Sequence, residues 1–191
     1  MLYIIRHGQT EMNSAYALQG RSNHSLNDVG IQQAKEAGRW FKEQGITFSK
    51  IYTSPLIRAI QTAENIAATA ELIVEERLIE MDYGPYEGMS LKNPAPEVLE
   101  FFQDFANNPA PEGMEQLSSV VSRTGQFVEE ILSECEASNI LISTHAIAMK
   151  GILEYLTPES KGSYWSTNIG NCAIYSAEVV NQSYSIPVRR N

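Results

Sequence analysis

Three short apolar runs in this chain each break off into a polar cluster: LYIIRHG (2–8), KIYTSP (50–55) and NILISTH (139–145). Short apolar runs bounded by turn signals read as strands buried on both faces. Arginine and histidine are costly to bury without partners, so their position directly after such strands suggests a site at the carboxyl ends. That is where open α/β sheets gather their ligands.

The segments between the strands carry helical periodicity. GRSNHSLND (20–28) is a turn-rich loop, and Asn27 is placed to cap a helix from about Asp28 to Glu43. Its inward stripe is Ile31, Ala34, Ala37, Gly38 and Phe41, and Gly45 closes it. Pro55 is expected to begin the next helix, with Ile57, Ile60, Ala63, Ile66 and Ala67 facing inward. Residues 71–88 read as a strand followed by a glycine-rich loop, 94–113 as a short helix between proline breaks, and 114–135 as one long helix. A helix to about Leu156 follows the 139–145 strand. Residues 172–180 and 183–189 read as two closing strands, the last an edge because of Pro187. Strands alternating with helices imply an α/β fold with a mostly parallel sheet covered on both faces. The 191 residues fit a single domain, 1–191, with 83–113 as an insertion at the rim.

Composition narrows the functions. Hydrophobic residues make up 43% and charged residues 19%, as in globular proteins. No apolar run approaches the roughly 18 residues of a membrane span, and no basic segment leads into a long apolar core at the N-terminus, so neither a membrane partner nor a secretory signal is expected. Two cysteines, Cys135 and Cys172, make a disulfide framework unexpected and a cytoplasmic setting natural. A net charge of −9 without a Lys/Arg block argues against nucleic acid. A small anion is different, because Arg6, Arg21 and Arg58 all fall in loop-like segments after strands.

At the strand ends, Arg6 with His7, then Arg58, then His145 would converge on one rim as a pocket for a dianion. A metal site is not expected: the histidines are His7, His24 and His145, and no ligand cluster surrounds them. There is no G-x-S-x-G elbow, P-loop or G-x-G-x-x-G fingerprint. Histidine remains as the nucleophile.

IIRHGQTEMN resembles the signature of the histidine phosphatase superfamily, which includes cofactor-dependent phosphoglycerate mutases and their phosphatase relatives. The likeness continues in order through Gly20-Arg21, Leu26, Gly30, Gln33-Ala34, Tyr52-Thr53-Ser54-Pro55, Arg58-Ala59, Thr62-Ala63, Glu80, Tyr83-Gly84, Glu87-Gly88 and Thr144-His145. It implies a three-layer sandwich and a phosphohistidine on His7. Arg6, Arg58, His145 and Asn13 would hold the phosphoryl oxygens, and Glu80 would protonate the leaving oxygen. Phosphoryl transfer is mostly positioning and charge stabilisation, which Arg and His donors supply without metal or other cofactor. The attacking imidazole must be neutral, so a carbonyl in the Gly8 loop is expected to fix its tautomer. The apolar setting of Met81, Tyr83 and Tyr86 is expected to favour a protonated Glu80.

The sequence departs from the family pattern at Asn23, Ser25, Asn27 and Ala146, and in Met114-Glu115-Gln116, where only Glu115 matches. These changes bear on substrate identity rather than on the phosphoryl chemistry. The short 83–113 segment and the Gln19-Gly20 pair resemble the phosphatase branch, so a phosphomonoesterase acting on a small phosphorylated metabolite is expected. Phosphoryl exchange by a mutase is the alternative, and a non-catalytic phosphate-binding protein is a more distant one. Arg21, Tyr16, Tyr83 and Tyr86 are candidates for the substrate mouth. In the insertion, Val98, Leu99, Phe102 and Phe105 suit one face and Phe101 another; they either cap the core or meet the substrate. Monomer and homodimer are both compatible with the sequence.

Overall fold

The first apolar run forms β1 (Leu2–Arg6), an interior strand of the sheet in the computed structural model, which describes residues 1–191. The chain continues through α1 (Glu11–Ser14), α2 (Asp28–Glu43), β2 (Lys50–Thr53), α3 (Ile57–Ile66) and β3 (Glu71–Val74). Then come α4 (Pro96–Gln103), α5 (Leu117–Glu130), α6 (Leu132–Ala137), β4 (Ile140–Thr144) and α7 (Ala146–Leu156). It closes with β5 (Ile174–Ala177), β6 (Val179–Val180), β7 (Ser183–Tyr184) and β8 (Val188–Arg189).

The six-stranded sheet has the order β3-β2-β4-β1-β5-β8. β3, β2, β4 and β1 run parallel, while β5 is antiparallel to β1 and β8 to β5. Register builds the site: Arg6 pairs with Thr144, and Thr53 with Ser143. The next residues along each strand, His7, His145 and Ser54, therefore emerge side by side at one rim.

Alternation along β1 divides the core. Leu2 and Ile4, with Ile140 and Ile142, pack on Phe127 and Val128 of α5 and on Met149, Ile152 and Leu153 of α7. Tyr3 and Ile5, with Ile51 and Leu141, face Ala34, Ala37 and Phe41 of α2 and Ala63 of α3. This is the expected α/β sandwich, with a mostly parallel sheet covered on both faces. A third cluster lies over the rim, where Val98, Phe101 and Ala110 of the 94–113 segment meet Leu18, Met81, Tyr83, Ile147 and Trp165. No helix is long and apolar enough to cross a membrane.

Asn27 caps α2 by accepting from the Gly30 N–H at 2.9 Å. A side chain on Gly8 would overlap the Gly30 carbonyl, and one on Gly30 would overlap Gln9. The backbone contact that presses the His7 loop onto α2 therefore requires both glycines.

Several boundaries differ from the sequence reading. α3 starts at Ile57, so Pro55 lies before the helix rather than in its first turn. Its buried residues are Arg58, Ala59, Thr62 and Ala63, and the apolar stripe of Ile57, Ile60, Ile66 and Ala67 is only half-buried. The helix turns a hydrogen-bonding face towards the rim. The 114–135 stretch is divided at Ile131, where φ −94° and ψ 5° leave the helix without a glycine or proline to mark the break. The 172–189 region contains an extra hairpin: Asn181 and Gln182 both take positive φ, the conformation of a two-residue turn between paired strands, and join β6 to β7. β8, following Pro187, is the expected edge. In α4 and just beyond it, Val98 is buried and Phe102 and Phe105 half-buried as the expected face requires, but Leu99 is exposed and Phe101 takes its place in the core.

Candidate active site

His7 leaves β1 as a buried side chain whose Nδ1 lies 2.7 Å from the Gly8 carbonyl. A carbonyl only accepts, so Nδ1 carries the proton and Nε2 keeps its lone pair. The Gly8 N–H donates to Thr62 Oγ1 at 3.0 Å, and the Thr62 hydroxyl donates to the Arg58 carbonyl at 2.7 Å, which ties the loop to α3. Burial, reinforced by Arg6 and Arg58, holds the His7 imidazole well below its usual pKa.

Arg58 is fully buried inside the polar face of α3. It donates to the carbonyls of Gly20 at 2.6 Å and Ser22 at 2.7 Å, and through Nε to His145 Nδ1 at 3.2 Å. Because His145 Nδ1 accepts, its proton sits on Nε2 and points to Ser54 Oγ, 2.7 Å away. The two histidine rings lie 5.1 Å apart. Burial first, then Arg58, also keeps His145 well below the usual imidazole range. Burial lowers Arg58 to about 10, which leaves it charged at neutral pH.

Glu80 is buried at the N-terminus of α7. His145 makes no side-chain cap there, and Glu80 takes that role from a distance. Its Oε1 accepts from the N–H of Ala148 at 2.9 Å and of Met81 at 2.9 Å, and its Oε2 from Ile147 at 3.2 Å. The unpaired N–H groups of the helix start thus find their acceptors in the two Glu80 oxygens. The apolar residues around Glu80 therefore form only part of its setting. A strap holds its loop: Arg123 donates to the carbonyls of Arg77 and Ile79, both at 2.6 Å, and pairs with Glu115, which accepts from the Asp82 N–H.

A cavity of about 190 Å³ is lined by Arg6, His7, Asn13, Gln19, Glu80 and Tyr83, together with an apolar wall. Two buried donors in that lining lack any partner, Arg6 Nε and Gln19 Nε2. Arg6 is anchored through Nη1 to the Ile169 carbonyl. Gln19 is held by Thr10, whose hydroxyl donates to its Oε1 at 2.7 Å. Asn171 donates to the His7 carbonyl and to Asn13 Oδ1, joining those two residues. Gln19 and Asn171 are absent from the candidates chosen from sequence. Only the Gln19-Gly20 pairing hinted at the first, and nothing marked the second.

The mouth candidates separate. Tyr83 lines the cavity, with burial pushing its phenol well above the usual value. Arg21 lies outside the lining, paired with Asp82 at 3.3 Å and Glu115 at 3.2 Å. Tyr86 donates to Glu97 at 2.9 Å, and Tyr16 is exposed beneath Lys92. His24 is exposed. No group of three or more His, Cys, Asp or Glu side chains is arranged to hold a metal.

The two depressed imidazoles make stability depend on pH. In the unfolded chain they take up protons near pH 6.5, whereas the folded protein resists protonating them until well below that. Below about pH 6.5 the unfolded state therefore binds more protons, and stability falls as pH falls. Carboxylates held low by arginine or lysine, such as Glu130 and Glu134, add their loss only further down, below about pH 4.5. The urea midpoint should drop between pH 7 and pH 5, and His145→Asn should flatten that slope. An unchanged midpoint over this interval would contradict the burial of neutral histidines.

Comparison with known proteins agrees with the geometry. Residues 2–190 match the sequence profile of the histidine phosphatase superfamily (branch 1). The chain is 28% identical over 195 residues to phosphoserine phosphatase 1 of Hydrogenobacter thermophilus, covering 100% of this chain and 91% of that one. It is 33% identical over 181 residues to the 2,3-bisphosphoglycerate-dependent phosphoglycerate mutase of Nitrobacter hamburgensis, covering 83% of each. A crystal structure of phosphoserine phosphatase from Entamoeba histolytica in complex with 3-phosphoglyceric acid superposes with a TM-score of 0.84 at 27% identity, over 100% of this chain and 94% of that one.

Proposed function

This chain belongs to the histidine phosphatase superfamily (branch 1), and from that premise we propose that it hydrolyses small phosphomonoesters through a phosphohistidine on His7, without a metal ion. The observation that carries this reading is the tautomer of His7. Gly8 leaves Nε2 unprotonated, and the ring lines the same cavity as Glu80 and the unpartnered N–H groups of Arg6 and Gln19.

In the first half-reaction, Nε2 attacks phosphorus in line with the ester oxygen. The N–P bond forms, the P–O bond breaks with its electron pair going to the alcohol oxygen, and Glu80 supplies the proton. Arg6 Nε and Gln19 Nε2 would gain phosphoryl oxygens as acceptors. A guanidinium has five N–H groups, and three of those on Arg58 are held by Gly20, Ser22 and His145, which fixes the orientation of the remaining two. Asn13 adds a donor, whereas His145, expected from the resemblance to hold a phosphoryl oxygen itself, has both ring nitrogens engaged by Arg58 and Ser54 and keeps Arg58 in place. Such donors act on charge developing at the phosphoryl group. In the second half-reaction, Glu80 takes a proton from water, the water oxygen bonds to phosphorus, and the N–P bond breaks to release phosphate and restore His7.

Among cavity-lining groups the only charged side chains are Arg6 and Glu80. Moving a phosphoryl group between two hydroxyls of one acidic substrate passes through a doubly phosphorylated intermediate that calls for further cations in the lining, so the lining supports hydrolysis over the mutase alternative. A binding protein would have no use for a positioned acid beside an unprotonated nucleophile.

Hydrolysis of 4-nitrophenyl phosphate should survive exhaustive chelation. Vanadate, which adopts the trigonal-bipyramidal geometry of in-line displacement, should inhibit competitively. Activity that disappears with chelator and returns with a divalent cation would overturn the metal-free mechanism.

A further inference from the structure

We propose that the alcohol half of the substrate is uncharged and largely apolar, a short alkyl or arylalkyl phosphate rather than the phosphate ester of a hydroxy or amino acid. This rests on the phosphatase reading above and concerns the same cavity.

Beyond the phosphoryl donors, the wall is built from Leu18, Leu91, Phe102, Phe105, Ala146 and Ile147. Ala146 stands where the family pattern has glycine and adds its methyl to this wall. The aromatic part is cross-braced. Phe102 and Phe105 lie 5.3 Å apart, Phe101 meets Phe105 edge-on at 4.8 Å, and Tyr83 meets Phe102 at 6.3 Å. The insertion thus presents a packed apolar roof.

The charged lining groups, Arg6 and Glu80, are both engaged in the chemistry. The nearby cations lie outside the lining. Arg21 is paired with Asp82 and Glu115, and Lys150 donates to the Trp165 carbonyl at 2.6 Å and sits over the Phe105 ring. Lys92 lies over the exposed ring of Tyr16. A substrate carboxylate entering this wall would lose its hydration without gaining a partner, which is strongly unfavourable. Methylenes entering it gain from leaving water.

The test is kcat/KM for ethyl, propyl, butyl and pentyl phosphate, 2-phenylethyl phosphate, O-phosphoserine and 3-phosphoglycerate, in chelator-treated buffer. Each buried methylene should raise kcat/KM about fourfold, the worth of removing one such group from water. The two acidic esters should fall on the order of a hundredfold below pentyl phosphate. Their alcohols are no poorer as leaving groups, so a preference against them reports binding. Phe105→Ala should flatten the alkyl series, and Leu91→Lys, which places a cation in the wall, should raise the acidic esters relative to pentyl phosphate. A flat alkyl series, or acidic esters turned over as well as pentyl phosphate, overturns the inference while leaving the phosphatase reading in place. Failure to hydrolyse any monoester, 4-nitrophenyl phosphate included, overturns both.

Discussion

His7→Ala should abolish phosphoryl transfer, with hydrolysis falling on the order of 10⁶-fold, as when a covalent nucleophile is removed from a preorganised site. The size follows from the geometry. Nε2 of His7 is the unprotonated imidazole nitrogen in the cavity wall, because His145 holds its proton between Nε2 and Ser54 and its other nitrogen against Arg58. No other side chain there is both nucleophilic and free. Rapid quenching without acid, after mixing with a labelled phosphomonoester, should place label on the wild-type protein that is stable to base and lost in acid. The variant should carry none, and His24→Ala, at an exposed position, should label normally. Label recovered on Ser54, or a loss of less than tenfold, would remove His7 from the nucleophilic role.

Glu80→Gln should separate substrates by how much their leaving groups need a proton. Alkyl phosphates should slow by about 10²–10⁴-fold, the usual contribution of a positioned general acid. Phosphoenzyme formation from 4-nitrophenyl phosphate should slow far less, because nitrophenolate departs unprotonated. The substitution has a structural cost as well. If the amide oxygen keeps the Met81 and Ala148 N–H groups, the amide nitrogen is left facing the Ile147 N–H. A urea melt of the variant measures that cost, and single-turnover measurements isolate the first half-reaction from any slowing of phosphohistidine hydrolysis. Equal losses on both substrate types would assign Glu80 to capping α7 alone. The other motif carboxylates are already occupied: Glu87 accepts from the Gly20 and Ser22 N–H groups, and Glu115 pairs with Arg123.

Much of this site was legible in the chain. Apolar runs as short as LYIIR can be buried on both faces only as central strands, and their polar ends then share a rim. That places His7 and His145 together, and Asn27 and Gly45 bound α2 through local backbone chemistry alone. The ordered motifs identified Arg6, Arg58 and Glu80 as residues to bring to that rim.

Tertiary packing decided the remainder, because it depends on partners far apart in sequence. Periodicity assigns α3 an isoleucine stripe, yet the helix buries Arg58 and Thr62, whose partners are the carbonyls of Gly20 and Ser22 and the Gly8 loop. Composition suggests an apolar pocket for Glu80, yet its carboxyl group caps a helix beginning 66 residues later. Phe101 and Leu99 are equally apolar, and only the fit of α4 over Met81 and Trp165 determines which of them is buried. Gln19 and Asn171 are unremarkable as letters and become part of the site only when the folded chain brings their amides to His7, Thr10 and Asn13. Local pattern reports which residues prefer to leave water. Which buried donor meets which acceptor is decided by the register of β1 against β4 and by the loops that register carries to the rim.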